Sequence, residues 1–375
     1  MSEALRREVM SKVKTVVVKV GTQVLSDAAG KLDRGQIASL AEQVNRLLGR
    51  KLSVVIVSSG AIGAGMGELG LATRPKTLPE LQAVAAVGQS HLIQAYDEEF
   101  ARFGRRAAQI LLTREDVYHR LRYLNTRNTI QAILHFGAVP IINENDTVSV
   151  EELELSFTDN DTLAALVTNL LRAELLIMLS NVDGLLDAGG RTVDVVKAMS
   201  DEVRGLATSA RSERGKGGMA NKLRAVEIAS AAGEAVVIAD GRRANVLEEV
   251  VSGQKVGTLF VPASRRMSAR KRWIGFGARS QGELHLDAGA AEAVRRRGKS
   301  LLPSGIVRVA GEFGRGDIVS LVDPEGGEIG RGLINYDAES TRRIQGKKTS
   351  EIARILGSCP YVEVVHRDNL VTFES

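Results

Sequence analysis

Seven short runs of nearly uninterrupted apolar residues punctuate the first 261 residues of the chain: TVVVKV (15–20), SVVIVSS (53–59), AAQILLT (107–113), AVPIIN (138–143), ELLIMLS (174–180), AVVIA (235–239) and GTLFV (257–261). A strand with water on one face alternates apolar and polar side chains. A strand covered on both faces does not, and that is the situation of a parallel sheet lying between helices. Between the runs, apolar residues recur with helical spacing over 34–49, 80–103, 123–136, 160–171 and 221–232. This alternation predicts an α/β fold, a three-layer αβα sandwich with a largely parallel central sheet.

The polar residues fall at one end of these runs. Lys19 and Gly21 close the first; Ser58, Ser59 and Gly60 follow the second. Asn143 to Asp146 follow the fourth, and Ser180, Asn181 and Asp183 the fifth. Open parallel sheets bind ligands at the carboxyl edge of their strands, so four polar clusters at that edge point to a site. A further stretch, RGKGGMANK (214–222), combines three glycines with two lysines ahead of a helical pattern. Its amides and Lys222 could meet a phosphate at a helix N-terminus, or it could be a surface loop with a helix cap.

Two other glycine patterns are set aside. Gly65, Gly67 and Gly70 satisfy G-x-G-x-x-G, but they follow the second strand, and no acid occurs in 85–95 where a dinucleotide site needs one. AVRRRGKS (293–300) mimics a phosphate-binding P-loop, yet it follows a helix and runs into a turn. A helix end capped by glycine and favoured by cations explains it better.

The net charge of +5 is concentrated between two patterns. Residues 262–280 hold six Lys/Arg and no acid, whereas 281–375 hold 13 Lys/Arg against 14 Asp/Glu, and 1–261 hold 31 of each. The excess is therefore a linker property and not a basic face, which argues against a nucleic-acid partner. The expected division is a domain over 1–261, a basic linker over 262–281 and a second domain over 282–375. In the last, short glycine-rich segments predict a small β-barrel with helices at 288–297 and 337–355.

One cysteine, Cys359, excludes an intrachain disulfide, and five scattered histidines argue against a zinc centre. No apolar run approaches the ~18 residues that cross a bilayer, and the charged N-terminus lacks a signal-peptide core. The expected compartment is the cytoplasm, with no membrane partner.

The ordered set VVVKVG, VSSGAIGAG, INENDTVS, FTDNDTLAA, LSNVDGL and GKGGMANK resembles the amino acid kinase family. The stretches AAVGQSHLIQAY (85–96), QILLTREDVYHRLRYLNTRNT (109–129) and INENDTV (142–148) resemble the branch that phosphorylates the γ-carboxylate of L-glutamate with ATP. That reaction makes glutamyl 5-phosphate and opens proline biosynthesis. The segment from Gly282 to Val319 looks like a PUA domain. Acetylglutamate and uridylate kinases share the fold, and PUA domains also occur in RNA-modifying enzymes; INENDTV and the charge-balanced tail argue against both alternatives.

The resemblance implies catalytic roles for Lys19 and Lys222 on the transferring phosphoryl group, with Asp161 holding the two lysines. It implies a glutamate pocket of Ser59, Gly60, Asn145, Asp146, Asp159 and Asn160. The nucleotide would lie against Lys19, Gly21, Ser180, Asn181 and the loop of Lys216, Gly217, Gly218, Met219, Ala220, Asn221 and Lys222. Thr-Asp is commoner in the family than Ser180-Asn181, and a small residue commoner than Lys216. ATP would arrive with Mg²⁺ held mainly by its phosphates, L-proline would act as feedback inhibitor, and the chain would form a homo-oligomer, a dimer or tetramer.

The chemistry of the residues agrees. A carboxylate with a reference pKa of ~4.3 is already ionised at neutral pH and needs no general base, which suits a chain without a candidate catalytic His or Cys. The difficulty is bringing one anion to another, and two lysines supply the positive charge. Asp159 and Asp161 could instead ligate a metal or cap a helix. The organiser role for Asp161 is favoured because carboxylates alone leave the two lysines unexplained.

Overall fold

The structure is a computed structural model, and it describes residues 2–27, 30–113, 116–117, 120–148, 160–209, 218–262, 271, 274–275 and 280–373. Two compact units divide the chain, one of Met1–Val117 with Leu121–Arg266 and one of Met267–Ser375.

In the first unit, eight strands form one sheet: β1 (Thr15–Val20), β2 (Ser53–Ser58), β3 (Ala107–Leu112), β4 (Val139–Glu144), β5 (Leu175–Ser180), β6 (Val195–Val196), β7 (Ala235–Asp240) and β8 (Thr258–Phe260), ordered β3-β4-β2-β1-β5-β7-β8-β6. The pairs from β3 through to β7 are all parallel. β1 and β5 are central and almost wholly buried, which is why TVVVKV and LLIMLS carry no alternation. The chain runs outward from β1 to β2 and later outward from β5 to β7. The order therefore reverses between β1 and β5, where such sheets open a crevice at their carboxyl edge.

The seventh run does not continue the parallel pattern: β8 pairs antiparallel with β7. The only helix between them, Val246–Val251, has six residues. Its ~9 Å length is too short to return the chain along a strand of ~20 Å. The two-residue edge strand β6 carries no sequence pattern of its own.

Helices Ala61–Glu68 and Leu78–Ala101 touch backbone to backbone. A Cβ on Gly65 would overlap the Val84 carbonyl, and a Cβ on Gly88 would overlap the Ala61 carbonyl and the Gly65 amide. Gly65, part of the discounted G-x-G-x-x-G pattern, is thus explained by packing. A second contact was invisible in sequence. Arg6, on the N-terminal helix Ser2–Met10, is 1% exposed, and its guanidinium donates to Asp194 Oδ1 (3.0 Å), Asp194 O (2.7 Å), Val256 O (2.9 Å) and Gly257 O (2.7 Å). It ties the start of the chain to the segments that enter β6 and β8.

The second unit is a five-stranded sheet, β9 (Gly282–Leu286), β10 (Ile306–Gly311), β11 (Ile318–Val322), β12 (Glu328–Ile334) and β13 (Val365–Thr372), in the order β10-β9-β11-β12-β13. Its core gathers Leu284, Leu286, Leu321, Ile334, Ile344 and Val365. The expected helix over 288–297 runs Ala288–Arg295, and Gly298 follows at φ +59°, as a helix end requires. The helix expected over 337–355 is broken. Ala338–Ile344 stops before Gly346, at φ +72°, and Ile352–Leu356 is a separate short helix. Left-handed backbone cannot continue a right-handed helix. Most of the expected linker over 262–281 lies outside the described residues.

Substituting Gly88 by Ala should force the two glycine-bearing helices apart and lower the unfolding free energy by about 2–3 kcal/mol. A shift of the urea midpoint without change in slope is the expected reading.

Candidate active site

Three segments far apart in sequence deliver one cluster. Lys19 is the penultimate residue of β1, so its side chain leaves the sheet at the carboxyl edge. Asp161 lies in the first turn of helix Asn160–Leu171, where the helix dipole favours an acid. Lys222 lies in the second turn of helix Gly218–Ala231, which packs against the first helix. Lys19 Nζ stands 2.6 Å from Asp161 Oδ1 and Lys222 Nζ 2.8 Å from Asp161 Oδ2. The three side chains are 6%, 12% and 3% exposed for Lys19, Lys222 and Asp161. Burial by itself would push the Asp161 carboxyl up, but the two ammonium groups outweigh it and hold the carboxyl below the usual carboxylate range.

Gly21 lies beside this cluster. Its amide donates to the Leu179 carbonyl of β5 at 3.2 Å, and a Cβ there would stand 3.6 Å from Lys19 Nζ. Any larger residue would narrow the crevice above the ammonium group.

A second polar group lies along β2 and β4. Ser58 ends β2, Ser59 follows it, and Gly60, at φ +106°, turns the chain into helix Ala61–Glu68. Asn160 Nδ2 donates to Ser59 Oγ at 2.9 Å and to Asn143 Oδ1 at 3.1 Å. Asn143 Nδ2 donates in turn to Gln89 Oε1 at 2.8 Å. Below them, the Ser58 hydroxyl meets the Tyr96 hydroxyl at 3.1 Å, and burial pushes that phenol up to about 12, so it stays protonated. Asn160 and Asp161 are neighbours in sequence, so the amide network and the lysine cluster share one helix start.

The remaining expected residues lie around this centre. Asn145 and Asp146 occupy the half-buried turn after β4, where the Asn145 carboxamide oxygen accepts from the Thr147 hydroxyl at 2.6 Å. Ser180 ends β5 and donates to Asn181 Oδ1 at 3.4 Å. Gly218, Met219, Ala220 and Asn221 form the first turn of the helix that carries Lys222. Asp159, Lys216 and Gly217 lie outside the described residues. Gln89 and Tyr96 are site neighbours to which the sequence assigns no role, and Asn143 is marked there only as part of a strand-end polar cluster. Asn143 lies within INENDTV and Gln89 and Tyr96 within AAVGQSHLIQAY, stretches that carry the resemblance, but their helical or strand pattern alone says nothing of their partners.

Among the described residues, no group of three or more His, Cys, Asp or Glu side chains could hold a metal. Both Asp161 oxygens are committed to ammonium groups.

Comparison with known proteins places these features. The amino acid kinase family model matches residues 14–240, and the PUA domain model matches 282–356. A glutamate 5-kinase of Thermoanaerobacter sp. is 48% identical over 365 residues, covering 96% of this chain and 98% of that protein. A glutamate 5-kinase of Moorella thermoacetica is 46% identical over 377 residues, covering 99% of each. Among solved structures, the carbamate kinase from Giardia lamblia bound to AMP-PNP aligns at a TM-score of 0.48 and 17% identity, covering 68% of this chain and 100% of that one. No described helix is long and apolar enough to cross a membrane.

The depressed Asp161 pKa gives a pH signature. Its stabilisation is fully present above the ordinary carboxylate value of ~3.9 and is lost as pH falls through the lower folded value. Asp161→Asn should cost about 3–5 kcal/mol, since two buried ammonium groups lose their partner. In urea titrations, the gap between wild type and variant should be constant from neutral pH to about 4 and shrink below that.

Proposed function

The chain belongs to the amino acid kinase family and, within it, to the glutamate 5-kinases, and from that premise we infer how its residues carry the reaction. The protein transfers the γ-phosphoryl group of ATP to the side-chain carboxylate of L-glutamate, the first step of proline biosynthesis. The observation that supports our assignment of roles is Asp161 held between Lys19 and Lys222 at the carboxyl edge of β1.

A carboxylate oxygen of glutamate forms a bond to the γ-phosphorus while the bond from that phosphorus to the β–γ bridging oxygen breaks, and ADP leaves. No proton is transferred, so the site needs charge and position and no base. Lys19 and Lys222 lie on different elements, and their ammonium groups are held to one carboxylate. That arrangement fixes two cations against mutual repulsion before the nucleotide arrives. When ATP binds, the phosphoryl oxygens compete with Asp161 for the ammonium groups, and the positive charge is already in place.

Ser59, Gly60, Asn160 and the turn of Asn145 and Asp146 form the glutamate pocket in this reading, with Asp159 joining it from outside the described residues. Gly21, Ser180, Asn181 and the loop from Lys216 into the 218–231 helix take the nucleotide. Mg²⁺ accompanies ATP, held by its phosphates, because Asp161 is already engaged and Mg²⁺ retains waters and phosphate ligands readily. L-proline is proposed as a feedback inhibitor overlapping the glutamate pocket, and the chain as a homo-oligomer. Both rest on the sequence resemblance alone, and a division near residues 262–281 rests on the charge distribution and the change of pattern along the sequence.

Lys222→Ala should lower kcat by about 10²–10³-fold, the scale of losing one transition-state donor, with a smaller change in glutamate KM. Trapping the acyl phosphate with hydroxylamine measures it; an unchanged kcat with a raised KM would contradict the role. Asp146→Ala should do the reverse, raising glutamate KM about tenfold or more, ~1.4 kcal/mol of binding, while kcat is largely kept.

A further inference from the structure

We propose that Gln89 is a positioning residue for substrate recognition: acting through Asn143, it fixes the Asn160 carboxamide with its oxygen left open for the α-ammonium group of glutamate. The proposal rests on Ser59 and Asn160 lining the glutamate pocket.

The orientation of three carboxamides follows from one backbone group. The Glu144 amide donates to Asn143 Oδ1 at 2.9 Å, and a backbone N–H can only donate. Asn143 must therefore present its oxygen there and its nitrogen on the other side. The nitrogen donates to Gln89 at 2.8 Å, so the atom of Gln89 that faces it must be Oε1. The same Asn143 oxygen also faces Asn160 at 3.1 Å, so the atom of Asn160 that faces it must be Nδ2. That nitrogen reaches Ser59 Oγ at 2.9 Å as well. The Asn160 oxygen is left over by necessity. It is buried and has no hydrogen-bond partner among the described residues. An unpaired buried acceptor is costly, and such an atom beside a binding residue asks for a donor.

L-Glutamate offers one. At neutral pH both of its carboxylates only accept hydrogen bonds, and the α-ammonium group is its sole donor. An amide held the other way round would present a donor and repel that group. Gln89 holds Asn143 in that orientation together with the Glu144 amide, because it is the acceptor that satisfies Asn143 Nδ2. It is 8% exposed and Asn143 is 2% exposed, so water does not readily replace it. Its depth is set by its neighbour Gly88, whose missing side chain lets the helix backbone rest on Ala61 and Gly65. Any Cβ there would lift Gln89 away from Asn143.

Gln89→Leu keeps the bulk and removes the acceptor. Asn143 is then left with an unpaired nitrogen, which it relieves by turning, and Asn160 loses its fixed orientation. The experiment compares glutamate with glutarate, the same dicarboxylate without the ammonium group, glutarate being read as a substrate or as a competitive inhibitor. The expected result is a fall of about tenfold in kcat/KM for glutamate, carried by KM, the scale of one buried hydrogen bond. Binding of glutarate and the KM for ATP should stay within about twofold.

Equal loss for glutamate and glutarate, or no loss for either, overturns the proposal. If the leucine variant does not fold, Gln89→Glu carries the test, since its carboxylate still accepts from Asn143. Retained preference for glutamate over glutarate supports the proposal, and lost preference overturns it. Asn160→Ala separates the underlying reading. If it leaves glutamate KM unchanged, Asn160 is not in the pocket; if it raises KM while Gln89→Leu is silent, only the role of Gln89 fails.

Discussion

Two ammonium groups held to one buried carboxylate organise the catalytic unit. Lys19 comes from the central strand, Asp161 from the start of a helix whose inner face is buried, and Lys222 from the helix packed on it. Each alone would be an expensive charge to bury. Together they are paired, and the elements that carry them must stand in fixed relation for the pairing to exist. Sheet order supplies that relation. The carboxyl ends of β1 and β5 lie at the point where the chain changes direction, so the strands leave the crevice open there.

The pocket we assign to glutamate meets the nucleotide side of the crevice at one place, the step from Asn160 to Asp161. Asn160 reaches toward β2 and β4, where its carboxamide joins Ser59 and Asn143. Asp161 reaches toward β1 and the 218–231 helix, where it holds the lysines. Adjacent residues at a helix start point in different directions, which lets one helix terminus serve both reactants. In the assignment we propose, acceptor and donor substrates are thereby kept in register by a single rigid element, and positioning of this kind is most of what phosphoryl transfer asks of a protein.

The second unit is built on different terms. Its sheet is mixed, with β9 and β11 parallel and the other pairs antiparallel, and it has its own apolar core. Its charge is nearly balanced, and among its described residues nothing duplicates the lysine cluster. The chemistry assigned to the protein is confined to the first unit.

How much of this was legible without coordinates depended on the range of the physics. Unbroken apolar runs report burial on both faces, a property of each strand, so the central sheet and its helices could be read directly. The polar residues at the strand ends were equally local, which is why Lys19 and Ser59 could be marked from the strand pattern, whereas Asn160 and Asp161, at a helix start, entered through the family resemblance. The antiparallel direction of β8 was not legible, because it depends on the length of the helix before it, and six residues, VLEEVV, are too few for a helical period to stand out. The broken helix near Gly346 was missed because a glycine within an otherwise helical stretch can be tolerated or can end it, and only its backbone angle decides. Arg6 and Gln89 were missed for a deeper reason. A polar residue in a helical run reads as solvated until its partners are known, and those partners, Asp194 and Asn143, lie 188 and 54 residues away. The sequence by itself determined the layers, the strand edge and the residue types of the crevice. Beyond the pairing of Asp161 with Lys19 and Lys222 that the resemblance implied, tertiary structure alone decided which charges pair and which amide faces which, because hydrogen bonds between distant segments depend on packing that no local pattern records.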